Sequence, residues 1–308
     1  MTQSSQSASA EAIPEHPMDQ IPVRQLRFSF DKPANPNPIW SRSKPDFSMF
    51  INALGVHVPH FERFLVKVMR HYRDELNDPQ LLAEVKAIIG QESHHAFNFI
   101  GWNKAMEEHY PGIMALDAQA SNYFEGLLKS ASKKFQIGYT AGYETFTFLA
   151  GMIILNRYNE LMQDADPTLR ALWVWHQVEE IEHGAVAFDF FAAFYPDALW
   201  YRRWMVVLAF AHISQQSFLA YALMVRKHGY YQQPRRALKA WAFFAGFAFD
   251  LARAALPVLA RDYHPRQHPI CNDEQNQIAV AWRKYHAAGH DTLQLDNQAI
   301  EQMLASTR

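Results

Sequence analysis

The sequence predicts an all-α chain: a four-helix bundle with one long crossover, and extra C-terminal helices packed on it. Three observations lead there. Apolar residues recur at spacings of three and four through most of the chain, and no pair of alternating strand segments stands out. Two Glu-x-x-His pairs, Glu92 with His95 and Glu180 with His183, are placed so that each projects from one face of a helix. Two further acids, Glu62 and Glu144, sit inside otherwise apolar helical stretches, and Glu144 has no charged neighbour from Gln136 to Leu155. An acid so placed must be buried without a partner unless something cationic meets it. The order Glu62, Glu92 with His95, Glu144, Glu180 with His183 is the ligand set of a carboxylate-bridged two-metal centre in a four-helix bundle. Four carboxylates carry about −4, which two divalent ions would cancel. The competing assignment puts Glu92 and Glu180 on solvated faces beside ordinary core histidines, and it has to explain four coincidences together.

Residues 1–20 are rich in Ser, Ala, Gln and Pro and lack an apolar core segment, so a disordered tail is expected rather than a secretory signal. Residues 21–46 hold five prolines and suit an extended arm over the body. A short helix is expected at 47–54, interrupted by Gly55, and Pro59 then opens the helix carrying Glu62. Asn77-Asp78-Pro79 caps the next helix, whose stripe Leu81, Val85, Ile88, Glu92, His95, Phe99 and Trp102 turns Glu92 and His95 inward. A crossover helix at 113–128 fits the 49 residues between His95 and Glu144. The third bundle helix is expected at 135–163 and the fourth at 168–194. On the fourth, His176, Glu180 and His183 fall at i, i+4 and i+7 and share a face. Two long apolar helices follow, at 200–227 and 237–260, then a proline-broken loop, a helix at 274–285 and a polar tail over 291–308. The whole of 47–290 reads as a single helical metal-binding domain.

The chain has 308 residues, 49% of them hydrophobic, so a large core is easily built. Its net charge is −2 with no long basic run, which gives no reason to expect nucleic acid as a partner. The single cysteine, Cys271, excludes an internal disulfide and a cysteine-based zinc site and suits a cytoplasmic setting. The two apolar helices contain His212, Ser214 and Gln215, and Asp250 and Arg253, which makes neither a comfortable membrane span. They are read as buried or interfacial helices, with peripheral membrane contact the secondary reading and a homodimer the expected assembly.

The chain resembles a bacterial family labelled predicted metal-dependent hydrolases and, more distantly, the ferritin-like di-iron carboxylate superfamily. The resemblance rests on Phe61-Glu62-Arg63-Phe64, Gln91-Glu92-Ser93-His94-His95, Glu144, Glu180-Ile181-Glu182-His183 and the Tyr263-His264-Pro265 loop, and covers about residues 40 to 270. These motifs are specific for a metal site and unspecific for a reaction. Four carboxylates with two imidazoles form a hard donor set that favours iron, with manganese or zinc as alternatives. Carboxylate-bridged iron pairs in such bundles activate dioxygen, so the resemblance implies an oxygen-dependent oxidoreductase served by an electron donor. Metal-dependent hydrolysis is the alternative. Glu62, Glu92 and His95 are expected on one metal and Glu144, Glu180 and His183 on the other, with two of the glutamates bridging. His176 is a candidate third imidazole, Tyr139 and Tyr143 are candidate redox or proton partners, and Glu179 and Glu182 point to solvent or to an outer salt bridge. With 22 Phe, 13 Tyr and 8 Trp available to line a pocket, the expected substrate is a hydrophobic small molecule.

Overall fold

The computed structural model describes residues 16–30, 37–271 and 276–305. The expectations for residues 1–15, for Pro33 and Pro36, for Glu274 and for residues 306–308 fall outside it. Among the described residues the structure is all-helical, and the only β feature is an isolated bridge between Ser41 and Ala165.

Four helices carry the candidate ligands. Helix α1 (Pro45–Tyr72) holds Glu62, and α2 (Pro79–Met106) holds Glu92 and His95. The Asp78 side chain caps α2 by accepting from Gln80 N and Leu81 N, with Pro79 in the first turn. Helix α3 (Ile113–Ser130) crosses over, packing on α1, α2 and α8. Helix α4 (Lys133–Asn156) holds Glu144 and is followed by the short α5 (Tyr158–Met162). Helix α6 (Pro167–Glu182), capped by Asp166, carries His176 and Glu180, and α7 (Val186–Phe194) continues after a break. Helices α1 and α2 pack side by side across a six-residue connection, and so do α4 and α6 across a longer one containing α5. Both pairs are therefore antiparallel.

The third bundle helix, expected unbroken over 135–163, is divided at Arg157 into α4 and α5, and three further boundaries differ from expectation. Helix α1 runs unbroken through Gly55 and Pro59. A proline inside a helix leaves the carbonyl four residues back without its donor, and here Asn103 Nδ2 from α2 donates to Gly55 O at 2.9 Å. The fourth bundle helix, expected unbroken over 168–194, ends at Glu182 and restarts at Val186. Gly184 lies so close to the Phe148 ring that a Cβ there would come within 2.7 Å of it. The polar tail expected over 291–308 instead buries Leu295 and forms α11 (Asn297–Ala305), whose Ile300 and Met303 are also buried.

The N-terminal segment is docked from His16 onward: Met18 is buried and Asp19 pairs with Arg266 at 2.6 Å. The arm then runs along α2, where Asn98 accepts from Phe28 N and donates to Leu26 O. On the other side α8 (Leu199–Lys227) and α9 (Pro234–Ala254) cover α1 and α4. Helix α8 approaches α4 so closely that a Cβ on Gly142 would lie 2.5 Å from Met205 O, a contact only glycine permits. Helix α10 (Gln277–Ala287) packs against α6.

Candidate metal centre

The six expected ligands and His176 meet in one buried place, as two overlapping groups. Glu62, His95, His176 and Glu180 offer donor atoms that all lie within 4.8 Å of one another, and so do Glu92, Glu144, Glu180 and His183. Glu180 belongs to both. One of its oxygens lies 3.0 Å from His176 Nε2 and the other 3.2 Å from His183 Nε2. Glu62 Oε1 lies 3.3 Å from His176 Nε2, and His183 Nε2 faces Glu92 at 3.0 Å and Glu144 at 3.3 Å. The grouping differs from the expected one in two respects. Glu92 faces His183 of the other Glu-x-x-His pair, and His176 takes a full place in the first group. The i, i+4 step from His176 to Glu180 is what aims both side chains at one point.

Each imidazole presents one nitrogen to the cluster, and His95 and His183 donate from the other to an outer oxygen, the arrangement usual for metal-ligating histidines. His95 turns Nδ1 inward, 3.6 Å from both Glu92 and Glu180, while its Nε2 donates to Glu179 Oε2 at 2.9 Å. His183 turns Nε2 inward, and its Nδ1 donates to Gln91 Oε1 at 2.8 Å. His176 turns Nε2 inward, and its Nδ1 faces Gln177 Nε2 at 2.9 Å, an amide donor rather than an acceptor.

Behind the imidazoles is a second charged layer, and it is balanced. Arg24 from the N-terminal arm pairs with Glu179 at 3.0 Å and Glu182 at 2.7 Å. Arg283 from α10 reaches Glu182 at 2.9 Å, and Gln91 Nε2 donates to the same carboxylate at 3.1 Å. Two guanidinium groups thus meet two carboxylates, and all four are buried. The outer-salt-bridge reading of Glu179 and Glu182 describes them; solvent does not. Sequence reasoning had no means of finding Arg24, Arg283 or Gln91. The only hint was three acids in four positions, Glu179 to Glu182, inside an apolar helix.

The inner layer has no such balance. Burial raises Glu92 and Glu144 and pushes Glu62 up to about 7. Glu180 goes the other way: burial opposes its charge, but the His183 and His176 imidazoles facing it hold it well below the carboxylate range. Burial likewise works against charge on His95 and His183, yet Glu92 beside the one and Glu180 beside the other raise both well above the usual imidazole range. Both oxygens of Glu92 and of Glu144, Oε2 of Glu62, Oε1 of Glu180 and Nδ1 of His95 are buried without a hydrogen bond. Orphaned buried carboxylate oxygens facing one another are costly, and cations among them would remove that cost. The residues present therefore fit bound metal cations.

The two tyrosines named as redox or proton candidates are engaged elsewhere. The Tyr143 hydroxyl hydrogen-bonds His212 Nδ1, and Tyr139 pairs with Tyr123 at 3.2 Å. Tyr143 does help line a narrow cavity of about 40 Å³ beside His176 and Gln177, with Phe99, Trp173, Ile213 from α8 and Leu251 from α9 among its walls. His264 and His268, in the proline-broken loop after α9, take no part in the cluster and bind Asp189 and Ala254 O.

A family model described as "Predicted metal-dependent hydrolase" matches residues 22–269, a span that contains all seven side chains of the cluster and, of the surrounding layer, all but Arg283. The chain belongs to this family. No curated protein and no solved structure matches it. Within the predicted metal-dependent hydrolases, then, this member carries a buried set of four glutamates and three histidines suited to binding metal.

Proposed function

We propose that this protein is a dinuclear-metal enzyme that hydrolyses a hydrophobic small molecule. Glu62, His95 and His176 would hold one ion, Glu92, Glu144 and His183 the other, and Glu180 would bridge them. The observation that carries this is the sharing of Glu180 by two buried donor groups whose other carboxylate oxygens, all but Glu62 Oε1, have no hydrogen bond. Two such ions, when bound, would activate water near neutral pH and polarise an ester or phosphoryl oxygen. The protein's own part is to fix the ring orientations through Glu179, Gln91 and Gln177, to keep bulk water out with the aromatic walls, and to admit an apolar group beside His176. The family description favours hydrolysis. The apolar lining of the cavity is the support for the substrate class.

Oxygen-dependent oxidation at a di-iron pair is the second reading. It is favoured by the donor set, four carboxylates with three imidazoles, which suits iron or manganese. The order of ligand helices, α1, α2, then α4 and α6 after the α3 crossover, supports a ferritin-like bundle and so the same reading. Metal analysis of the purified protein, followed by assays against ester and phosphoester panels and by oxygen uptake on chemical reduction, separates the two. Two ions per chain with esterase or phosphoesterase activity and no oxygen uptake is the expected result. Two irons with stoichiometric oxygen consumption would transfer the assignment to oxidation, and a metal-free protein would end both.

A further inference from the structure

Helices α8 and α9 form an antiparallel hairpin. Arg203 near the start of α8 donates to Leu259 O beyond the end of α9, and Phe218 and Tyr221 near the other end of α8 pack on Trp241 and Phe244. Its inner face is a proper core face, burying Met205, Ala209, Met224, Phe247 and Leu251. Its outer face is apolar as well. Nine of the twelve large hydrophobic side chains exposed among the described residues lie between Trp200 and Leu256, led by Trp200 at 77%, Leu238 at 72%, Phe249 at 66% and Leu256 at 62%. An exposed apolar surface this extensive marks an interaction site.

Charge identifies the partner. Residues 199–261 contain nine Lys or Arg and a single acid, Asp250, a formal +8 in a chain whose total is −2. The acid faces the bundle, paired with Arg157 at 3.3 Å. Arg226, Lys227, Arg235 and Lys239 are exposed at one end of the hairpin, and Arg253 and Arg261 at the other. Aromatic residues sit at the same levels, Trp200 and Trp204 at one end and Tyr231 at the other. A flat apolar face framed by aromatics and cations is the pattern of a helix pair lying in the headgroup region of an anionic bilayer. Both helices are long and apolar enough to cross a membrane. Spanning would nevertheless strip the inner face from the bundle and break the hydrogen bond between His212 of α8 and Tyr143 of α4. A second copy of the chain is the poorer occupant, because both ends of the face are basic and pairing it with itself brings like charges together.

We infer that this protein docks on anionic membranes through the outer face of the α8–α9 hairpin, lying in the surface without crossing it. The inference is independent of which reaction the metal centre performs. The test is flotation of the full chain with vesicles of phosphatidylcholine alone and of phosphatidylcholine with phosphatidylglycerol. Binding to the anionic vesicles, weakened by salt, is expected. Arg235→Gln with Lys239→Gln should lower the partition coefficient about 30-fold, at roughly one kcal/mol per cation near the surface. Leu238→Ser with Phe249→Ser should abolish flotation while helicity and metal content stay unchanged. Failure to float with either vesicle, or flotation indifferent to the apolar pair, overturns the inference. So does a stable dimer that the apolar pair dissociates in the absence of vesicle binding, which would assign the face to a second copy.

Discussion

Two regions of this molecule invert the usual placement of side chains in opposite senses. The interior between α1, α2, α4 and α6 is crowded with ionisable groups, whereas the outer face of α8 and α9 is crowded with apolar ones. Each arrangement is unfavourable in the isolated chain, the first through unpaired buried charge and the second through exposed hydrocarbon. The difference lies in how tightly each is built. The interior is wired: each imidazole is held at its far nitrogen and a neutral ring of Arg24, Arg283, Glu179 and Glu182 surrounds the cluster. The hairpin face has no comparable bonding, as befits a surface that meets a fluid partner.

The largest expected effect is on the interior. Removing metal with a chelator should lower thermal stability strongly, since ions present at about a thousand times their dissociation constant each contribute about 4 kcal/mol. Glu180→Gln, which touches both groups, should lose both ions, while Glu144→Gln should lose mainly the one it faces; elemental analysis of the two variants checks the ranking. Equal losses would mean that Glu180 is not shared.

Next comes the surrounding ring. Arg24→Met leaves Glu179 without its cation, and breaking such a buried pair should cost about 3 kcal/mol, measured by denaturant unfolding of the metal-loaded protein. A cost near that of a surface pair would remove the ring from the account.

The pH response should separate metal-free from metal-loaded protein. Burial raises Glu62, Glu92 and Glu144, and carboxylate neighbours raise His95 and His183. At these groups the folded metal-free state keeps protons that the unfolded chain gives up, and the stability they contribute is lost as pH rises through about 7, the value for Glu62; His57 and His212, which burial keeps neutral, oppose this below the usual imidazole range, so the net fall in stability is expected above it. Glu180, held low, opposes this only below its ordinary range. Metal binding must displace these protons, so affinity and metal-dependent stabilisation should grow over the same window, with proton release detectable by calorimetry in buffers of different ionisation enthalpy.

The smallest effect belongs to the hairpin in solution. Phe249→Ser and Leu238→Ser should change stability by no more than about 0.5 kcal/mol, against about 2–5 kcal/mol for truncating the fully buried Leu172 to Ala. A large loss from either serine variant would mean that the face is already covered by another part of the assembly.

How much of this was legible depends on whether the cause was local. The stripe of α2 and the i, i+3 and i, i+4 relations among His176, Glu180 and His183 are helix geometry, and they can be read from spacing alone. Pro59 misled because its remedy comes from Asn103, 48 residues from the carbonyl it satisfies. The break after Glu182 was hidden because the apolar pattern continues across it, and Gly184, which the Phe148 ring leaves no room to replace, is the one local mark of it. His176 could not be separated from an ordinary core histidine until Glu62 was found 3.3 Å away on another helix. The pairing of Glu92 with His183 is likewise a matter of how α2 and α6 sit, which no single-helix argument contains.

The Glu182 carboxylate has a consequence for biosynthesis. It is tied to Arg24, 158 residues earlier, and to Arg283, 101 residues later. As the chain emerges from the ribosome, all seven inner donors are made before the second cation that shields their surroundings. The pocket is therefore closed by a helix translated after all four that carry the ligands, and a nascent chain stalled before α10 would hold its acids together with only half of the surrounding positive charge in place.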